Sequence, residues 1–341
     1  MTQTVLVTGA TGYIAKHLVL QLLNGGYSVV GSARSTAREK ELRTALTPHL
    51  TDPTALDRLR LVVLDLNSDD GWDAAMQGID VVMHTASPFP MTMPQNEQDI
   101  IRPAVEGALR AVKAAKAAGI TRVIMTSSVV AIANSERPEG RDTHNESDWS
   151  ELTGPSATAY LKSKTLAERA VWDWQSADAP DMQITMINPS FVQGAPLDNN
   201  FGTSIEVIDR LMRGKDPMVP DIGFPCVDVR DIALMHIRAM ETSDSIGKRF
   251  IGVDRYLTFA EIAGLLKADH PSYKIPTRVA PHFLIRVMAL FDKTIRSIVP
   301  MLGKHETVSG ARAQSLLGME FRDVRLAVRD SGAYLVDNNL L

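Results

Sequence analysis

The sequence holds one cysteine in 341 residues, Cys226, so an intramolecular disulfide is excluded. With no cysteine partner, Cys226 reads as a small buried apolar group rather than a ligand, and a reducing, cytoplasmic setting is expected. Long apolar runs are missing too. No stretch of about eighteen apolar residues occurs, and Met1-Thr2-Gln3 passes directly into Thr4-Val5-Leu6-Val7, so neither a membrane span nor an export signal is expected. Nor does one sign of charge dominate: 36 Lys and Arg stand against 40 Asp and Glu, a net charge of −4 that offers no field for nucleic acid or an anionic membrane. The basic cluster Arg34, Arg38, Lys40 and Arg43 is interleaved with Glu39 and Glu41 and acts only locally.

What is present is ordinary globular material, 45% hydrophobic and 22% charged, enough for one large α/β domain or a main domain with a smaller lobe. Val5-Leu6-Val7 runs into Thr8-Gly9-Ala10-Thr11-Gly12-Tyr13-Ile14-Ala15, after which Ile14, Leu18, Leu22 and Leu23 recur at helical spacing. The order is strand, glycine turn, helix. In that order Gly9 permits a tight turn, Gly12 lets the backbone approach a pyrophosphate, and the helix N-terminus supplies free N–H groups. Ala15 stands where a third glycine is usual and is small enough for close packing. Thr8, Gly9, Thr11, Gly12, Tyr13 and Ile14 are therefore expected to bind a dinucleotide; the plainer alternative is a connecting turn.

Tyr27 to Arg34 reads as the second strand, ending about twenty residues beyond the glycine turn, where an acid would select NAD. Ser32, Ala33 and Arg34 stand there instead, and no carboxylate follows before Glu39. Arg34 can pair with a 2′-phosphate, with Ser32 or Ser35 adding a hydrogen bond, so NADP(H) is the expected cofactor. Leu61 to Leu66 reads as a third strand buried on both faces. Asp65 at its end suits either the adenine amine, with Leu66 against the ring, or a helix cap. A short helix near Asp73–Gln77 and a strand from Asp80 to His84 follow. Thr85, Ala86 and Ser87 are expected beside pyrophosphate and ribose, while Phe89 and Pro90 lie where such sheets place substrate. His84 lacks a second ligand at metal spacing and reads as structural, so no metal is expected.

A long helix, interrupted early by Pro103 and closed by Gly119, leads to a fifth strand, Thr121 to Ser128, that ends in two serines. Tyr160 and Lys164 then lie four residues apart in a helix-forming stretch, about ~6 Å along one face. That spacing suits a phenol that exchanges a proton with a substrate oxygen beside an ammonium group.

Thr8-Gly9-Ala10-Thr11-Gly12-Tyr13-Ile14-Ala15, Thr126-Ser127-Ser128, Tyr160 with Lys164, and Asn188-Pro189 together resemble the extended short-chain dehydrogenase/reductases. Val30 to Ser35, His84 to Phe89 and Tyr160 to Glu168 narrow the likeness to the branch of dihydroflavonol 4-reductase, cinnamoyl-CoA reductase and the fungal carbonyl (methylglyoxal/ketone) reductases. The resemblance implies an α/β fold, a Rossmann-type doubly wound parallel sheet with a smaller C-terminal substrate-binding lobe. It implies that Ser128 binds the substrate oxygen, that Tyr160 is the acid in reduction, and that Lys164 holds the nicotinamide ribose and favours the tyrosinate. Asn188, Pro189 and Ser190 would lie beside the nicotinamide. The relay asparagine of related enzymes has no counterpart in Pro103-Ala104-Val105-Glu106-Gly107-Ala108. A proton path would then run through water, ribose and Lys164, or be absent.

The expected division is a cofactor domain over 1–195 and a lobe over 196–341, with residues near 220–240 returning to the main domain. Ser204–Met212 reads as a helix, Thr258-Phe259-Ala260-Glu261 as a capping box, Pro281–Val299 as an amphipathic helix packed on the lobe, and Val324–Leu335 as the last helix. Phe89, Val130, Phe191, Phe224 and Pro225 are candidates for an apolar pocket suited to aromatic or branched aliphatic carbonyls. The expected activity is reduction of aldehydes or ketones by a monomer or homodimer acting on a small molecule. An epimerase or dehydratase of nucleotide sugars, or a silent NADP(H) sensor, are the alternatives.

Overall fold

The computed structural model describes residues 3–88, 96–137, 139–291 and 293–341, apart from the side chains of 293, 294 and 297. The first half alternates strand and helix: β1 Thr4–Thr8, α1 Tyr13–Asn24, β2 Ser28–Ala33, α2 Arg38–Leu46, β3 Leu59–Val63, α3 Trp72–Ala75 and β4 Val81–His84. Then come α4 Gln98–Ala117, β5 Arg122–Thr126, α5 Ala159–Asp178 and β6 Gln183–Pro189. The second half holds β7 Phe191–Gln193, α6 Thr203–Met212, β8 Gly223–Asp228, α7 Val229–Glu241, β9 Arg249–Gly252 and β10 Arg255–Thr258. It ends with α8 Phe259–Asp269, α9 His282–Met288, α10 Lys293–Ile298, α11 Ala311–Leu317 and α12 Val324–Asp337.

The main sheet is parallel throughout, in the order β3-β2-β1-β4-β5-β6-β9. Alternation along β1 divides two cores. Val5 and Val7 pack with Leu18, Leu22, Ile232 and Met235 of α1 and α7, and Leu6 packs on the other side with Ala108, Val112 and Val171 of α4 and α5. Strand order reverses between β1 and β4, so a crevice opens at the carboxyl ends of those strands.

Several elements differ from expectation. The third strand begins two residues early and pairs only with β2; as an edge strand it is only partly covered, and Val63 is 47% exposed. The helix through Pro103 is continuous. The return to the main sheet runs past 220–240, because β9 adds the seventh strand. A second sheet, β10-β8-β7, and the helices α6, α8 and α12 enclose a further core around Ile208, Leu257, Ile262, Leu266 and Val328. The capping box forms, with Thr258 and Glu261 bonding reciprocally at the start of α8. The stretch 281–299 is two short helices rather than one. α9 ends in a tight turn, Ile285 and Ala289 are buried, and Phe283, Val287, Leu290 and Phe291 face outward. Among the described residues no helix is long and apolar enough to cross a membrane.

Candidate active site

The carboxyl ends of β1, β2, β4, β5 and β6 open onto one cleft of ≈ 960 Å³. Gly9 adopts φ +65°, and a Cβ there would meet Ala86 at 3.0 Å, so the turn and its close approach to the end of β4 both require glycine. The hydroxyl of Thr8 accepts from the N–H groups of Thr85 and Ala86, each at 3.1 Å, and lies 2.9 Å from His84 Nδ1. With its lone pairs so used, Thr8 donates to His84. Burial holds His84 neutral, lowering it to about 3. Thr8 thus fastens β1 to β4. Gly12 caps α1 without a side-chain bond and the first turn carries no acid, which leaves the positive end of the helix facing the cleft.

Arg34, Ser35 and Arg38 line the far end with Asp65, Leu66 and Asn67. Ser32 is committed elsewhere, accepting from Gly9 N–H at 3.0 Å, and Asp65 accepts from Asn67 N and Nδ2 at 2.8 and 3.1 Å. Arg38, which sequence reasoning treated only as part of a local cluster, reaches the cleft because α2 starts at it.

At the opposite end stand Ser128, Tyr160, Lys164, Pro189 and Ser190. Thr158 caps α5, its hydroxyl accepting from Leu161 N–H at 3.2 Å, and sets Tyr160 in the first turn. Ser128 hydrogen-bonds the Tyr160 side chain. Lys164 Nζ donates to Ser87 Oγ at 3.0 Å and lies 5.9 Å from the centre of the Tyr160 ring. Burial raises the Tyr160 phenol, against the lowering effect of Ser128, and lowers the Lys164 ammonium to about 8, against the raising effect of Glu168. The expected downward shift of Tyr160 is therefore not a property of the protein alone.

The residues fit a dinucleotide on the structure's own terms: an uncapped helix N-terminus, and a buried Ser190 Oγ with no partner among the described residues. Thr11, Gly12, Tyr13, Ile14, Thr85, Ala86 and Ser87 all line the cleft. Tyr13 nonetheless turns its hydroxyl to Gly194 O, at 2.6 Å.

The apolar pocket candidates are placed differently. Phe89 lies outside the described residues. Phe191 and Phe224 stack at 5.2 Å, with Phe259 against Phe224 at 5.8 Å, packed on the core around Ile208 and Leu257; neither they nor Val130 and Pro225 line the cleft. On β7 it is Val192, pointing the opposite way from Phe191, that does. Asn200, Phe201, Thr203, Ser204 and Glu206, from the approach to α6 and its first turn, complete the wall. Sequence reasoning missed them, since only the three-dimensional return of residues 194–206 over α1 brings them there.

The same reasoning also missed a buried network behind Lys164. Glu168 Oε2 accepts from Ser127 Oγ at 2.5 Å and Asn188 Nδ2 at 2.9 Å, while Oε1 accepts from Arg249 Nε at 2.6 Å. Arg249 also bonds Glu146 O and Asp148 O and lies 3.8 Å above the Trp149 ring. Spacing carried the signal for Glu168, since 160, 164 and 168 share a helix face; nothing marked Arg249.

Residues 5–251, from β1 to β9, match the NAD dependent epimerase/dehydratase family. The chain belongs to this family. Its relatives include the cinnamoyl-CoA reductase of Medicago truncatula, 32% identical over 96% of this chain and 94% of that one. The NADPH-dependent methylglyoxal reductase of Saccharomyces cerevisiae is 28% identical over 98% of both chains. The solved yeast methylglyoxal/isovaleraldehyde reductase complexed with NADPH superposes with a TM-score of 0.81 at 27% identity, covering 99% of this chain and 100% of that one. The family match ends at Ile251, so its span includes Arg249 and the buried network as well as the tyrosine and lysine.

Proposed function

We propose that the protein is an NADPH-dependent reductase of aldehydes and ketones. One observation carries this reading: a single cleft has two arginines at one end and the Ser128–Tyr160–Lys164 group at the other. NADPH, when bound, supplies the hydride. Arg34 and Arg38 would hold its 2′-phosphate, the free N–H groups of α1 its pyrophosphate, and Lys164 with Ser87 the nicotinamide ribose. Ser128 donates a hydrogen bond to the carbonyl oxygen, where negative charge grows, and Tyr160 delivers the proton. A phenol raised by burial keeps its proton at neutral pH, which suits an acid in the reductive direction.

Relatives named for methylglyoxal and cinnamoyl-CoA reduction support a carbonyl substrate over a nucleotide sugar. Phe201, rather than Phe191 or Phe224, is the phenylalanine described in the cleft wall, beside polar Thr203, Ser204 and Glu206. The substrate end is accordingly mixed in character.

The test follows NADPH absorbance with aromatic aldehydes, diketones and a nucleotide sugar. Wild type should oxidise NADPH only with the carbonyls, and Tyr160→Phe should lower kcat/KM by about 10²–10⁴ with NADPH binding retained. Activity untouched by this change would sink the proposed acid; no carbonyl-dependent oxidation would sink the reductase reading.

A further inference from the structure

Tyr160, Lys164 and Glu168 follow one another at successive turns of α5, on one face. Behind Lys164 lies a small cavity of ≈ 10 Å³, lined by Lys164, Glu168, Ser87, Ser127, Thr126 and His84 together with small or apolar side chains. That volume is about what one water molecule needs, and the lining offers several polar partners. α4 contributes only Ala104 and Ala108 to the lining. Lys164 and Glu168, one helical turn apart on α5, therefore share a space about the size of one water.

The carboxylate on the other side of that space is fully buried and fixed at both oxygens, by Ser127 and Asn188 on one and Arg249 on the other. Arg249 is in turn fixed by two backbone carbonyls and the Trp149 ring. A carboxylate held this rigidly is a fixed charge. The titratable and charged groups facing Lys164 are Tyr160 and Glu168 on its own helix and His84 from β4; β5 presents Met125 and the hydroxyls of Thr126 and Ser127.

We propose that Glu168 is a positioning residue for the reductase reaction, its buried carboxylate keeping Lys164 charged across that water-sized space. It does not line the cleft and acts through Lys164. The inference rests on the reductase reading, and its test separates the two.

The ionisation of Lys164 is measured without turnover, by competitive acetylation of the apoenzyme across pH 6–10 with the peptide bearing Lys164 quantified by mass. Wild type should show a midpoint about 8. Glu168→Gln is isosteric but uncharged, and should move that midpoint down by about one pH unit, a tenfold change in the ionisation constant. Glu168→Asp disturbs packing more but keeps the charge, and should fall between the two. The alkaline limb of kcat/KM for NADPH should move in the same order. A purely structural role gives the reverse ranking, with Glu168→Asp the worse variant and the midpoint unmoved, and would overturn the inference. Should Glu168→Gln not fold by near-ultraviolet circular dichroism, Glu168→Asp decides alone: a smaller downward shift supports the inference and an unmoved midpoint overturns it. Failure of wild type to reduce carbonyls removes the reductase reading yet leaves the acetylation result to stand or fall by itself.

Discussion

Arg34, just past β2, and Arg38, the first residue of α2, both line the cleft, Arg38 Nε lying 3.0 Å from Glu41 Oε2, and Asp65 in the same wall is turned back on Asn67. A charge-assisted bond to phosphate contributes roughly 1.5–3 kcal/mol, so each arginine that reads a 2′-phosphate should be worth about 10–100-fold in affinity. Arg34→Asp is expected to raise KM for NADPH by at least that factor while changing KM for NADH little, and Arg38→Ala to do the same more weakly. Steady-state kinetics with both cofactors decides; equal losses would show that the arginines do not read the phosphate. Arg34 was legible in the sequence because its distance from the glycine turn fixes its place. Arg38 was not, because its reach depends on where α2 begins. Phe191 was misplaced for a similar reason, since a strand of three residues has too little alternation to say which face meets the cleft, and Phe224, on the six-residue β8, packs against it.

Between the sheet and α6 the chain is laid over α1 and tied there. Tyr13 bonds Gly194 O, His17 lies 3.1 Å from Ala195 O, Lys16 pairs with Asp198 and bonds Asn200 O at 3.0 Å, and Asn200 Nδ2 donates to Thr11 O at 3.1 Å. Lys16 is only 2% exposed; burial lowers its ammonium and Asp198 opposes that. Asp198→Asn leaves the buried cation without its charge partner, and a stability loss of about 1–3 kcal/mol is expected. Limited proteolysis should then cut within 196–204, and NADPH should protect; an uncut variant with wild-type urea midpoint would show that the pairing holds nothing. None of this strap was legible, since its partners are some 180 positions apart. Elements with a clear helical period, such as α1 and α6, or with a capping box, such as α8, were.

Across the molecule three buried histidines are held neutral. Burial lowers His17 and His236 to about 4 and His84 to about 3, from an ordinary value of 6.5. Each folded value lies below the unfolded one, so unfolding takes up protons between those limits; stability is complete above pH 6.5 and falls as pH drops toward 4. Three such groups give a slope of up to ~4 kcal/mol per pH unit. Urea midpoints should be level from pH 8 to 7 and clearly lower at pH 6.0 and again at 5.0. A midpoint unchanged down to pH 5.0 would mean that these rings are not sealed from water. The succession of strands through β5 was readable because each strand was followed by its helix, whereas β9 and β10, four residues each and only two residues apart, carry no periodicity of their own.

The position of β9 also gives the chain a timetable. During synthesis six strands of the sheet and the whole of α5 exist before residue 249 does, so Glu168 waits for its cation. Closing the sheet's edge and pairing its buried carboxylate are then the same event, carried by four residues, Arg249 to Gly252, that arrive when nearly three-quarters of the chain has been made.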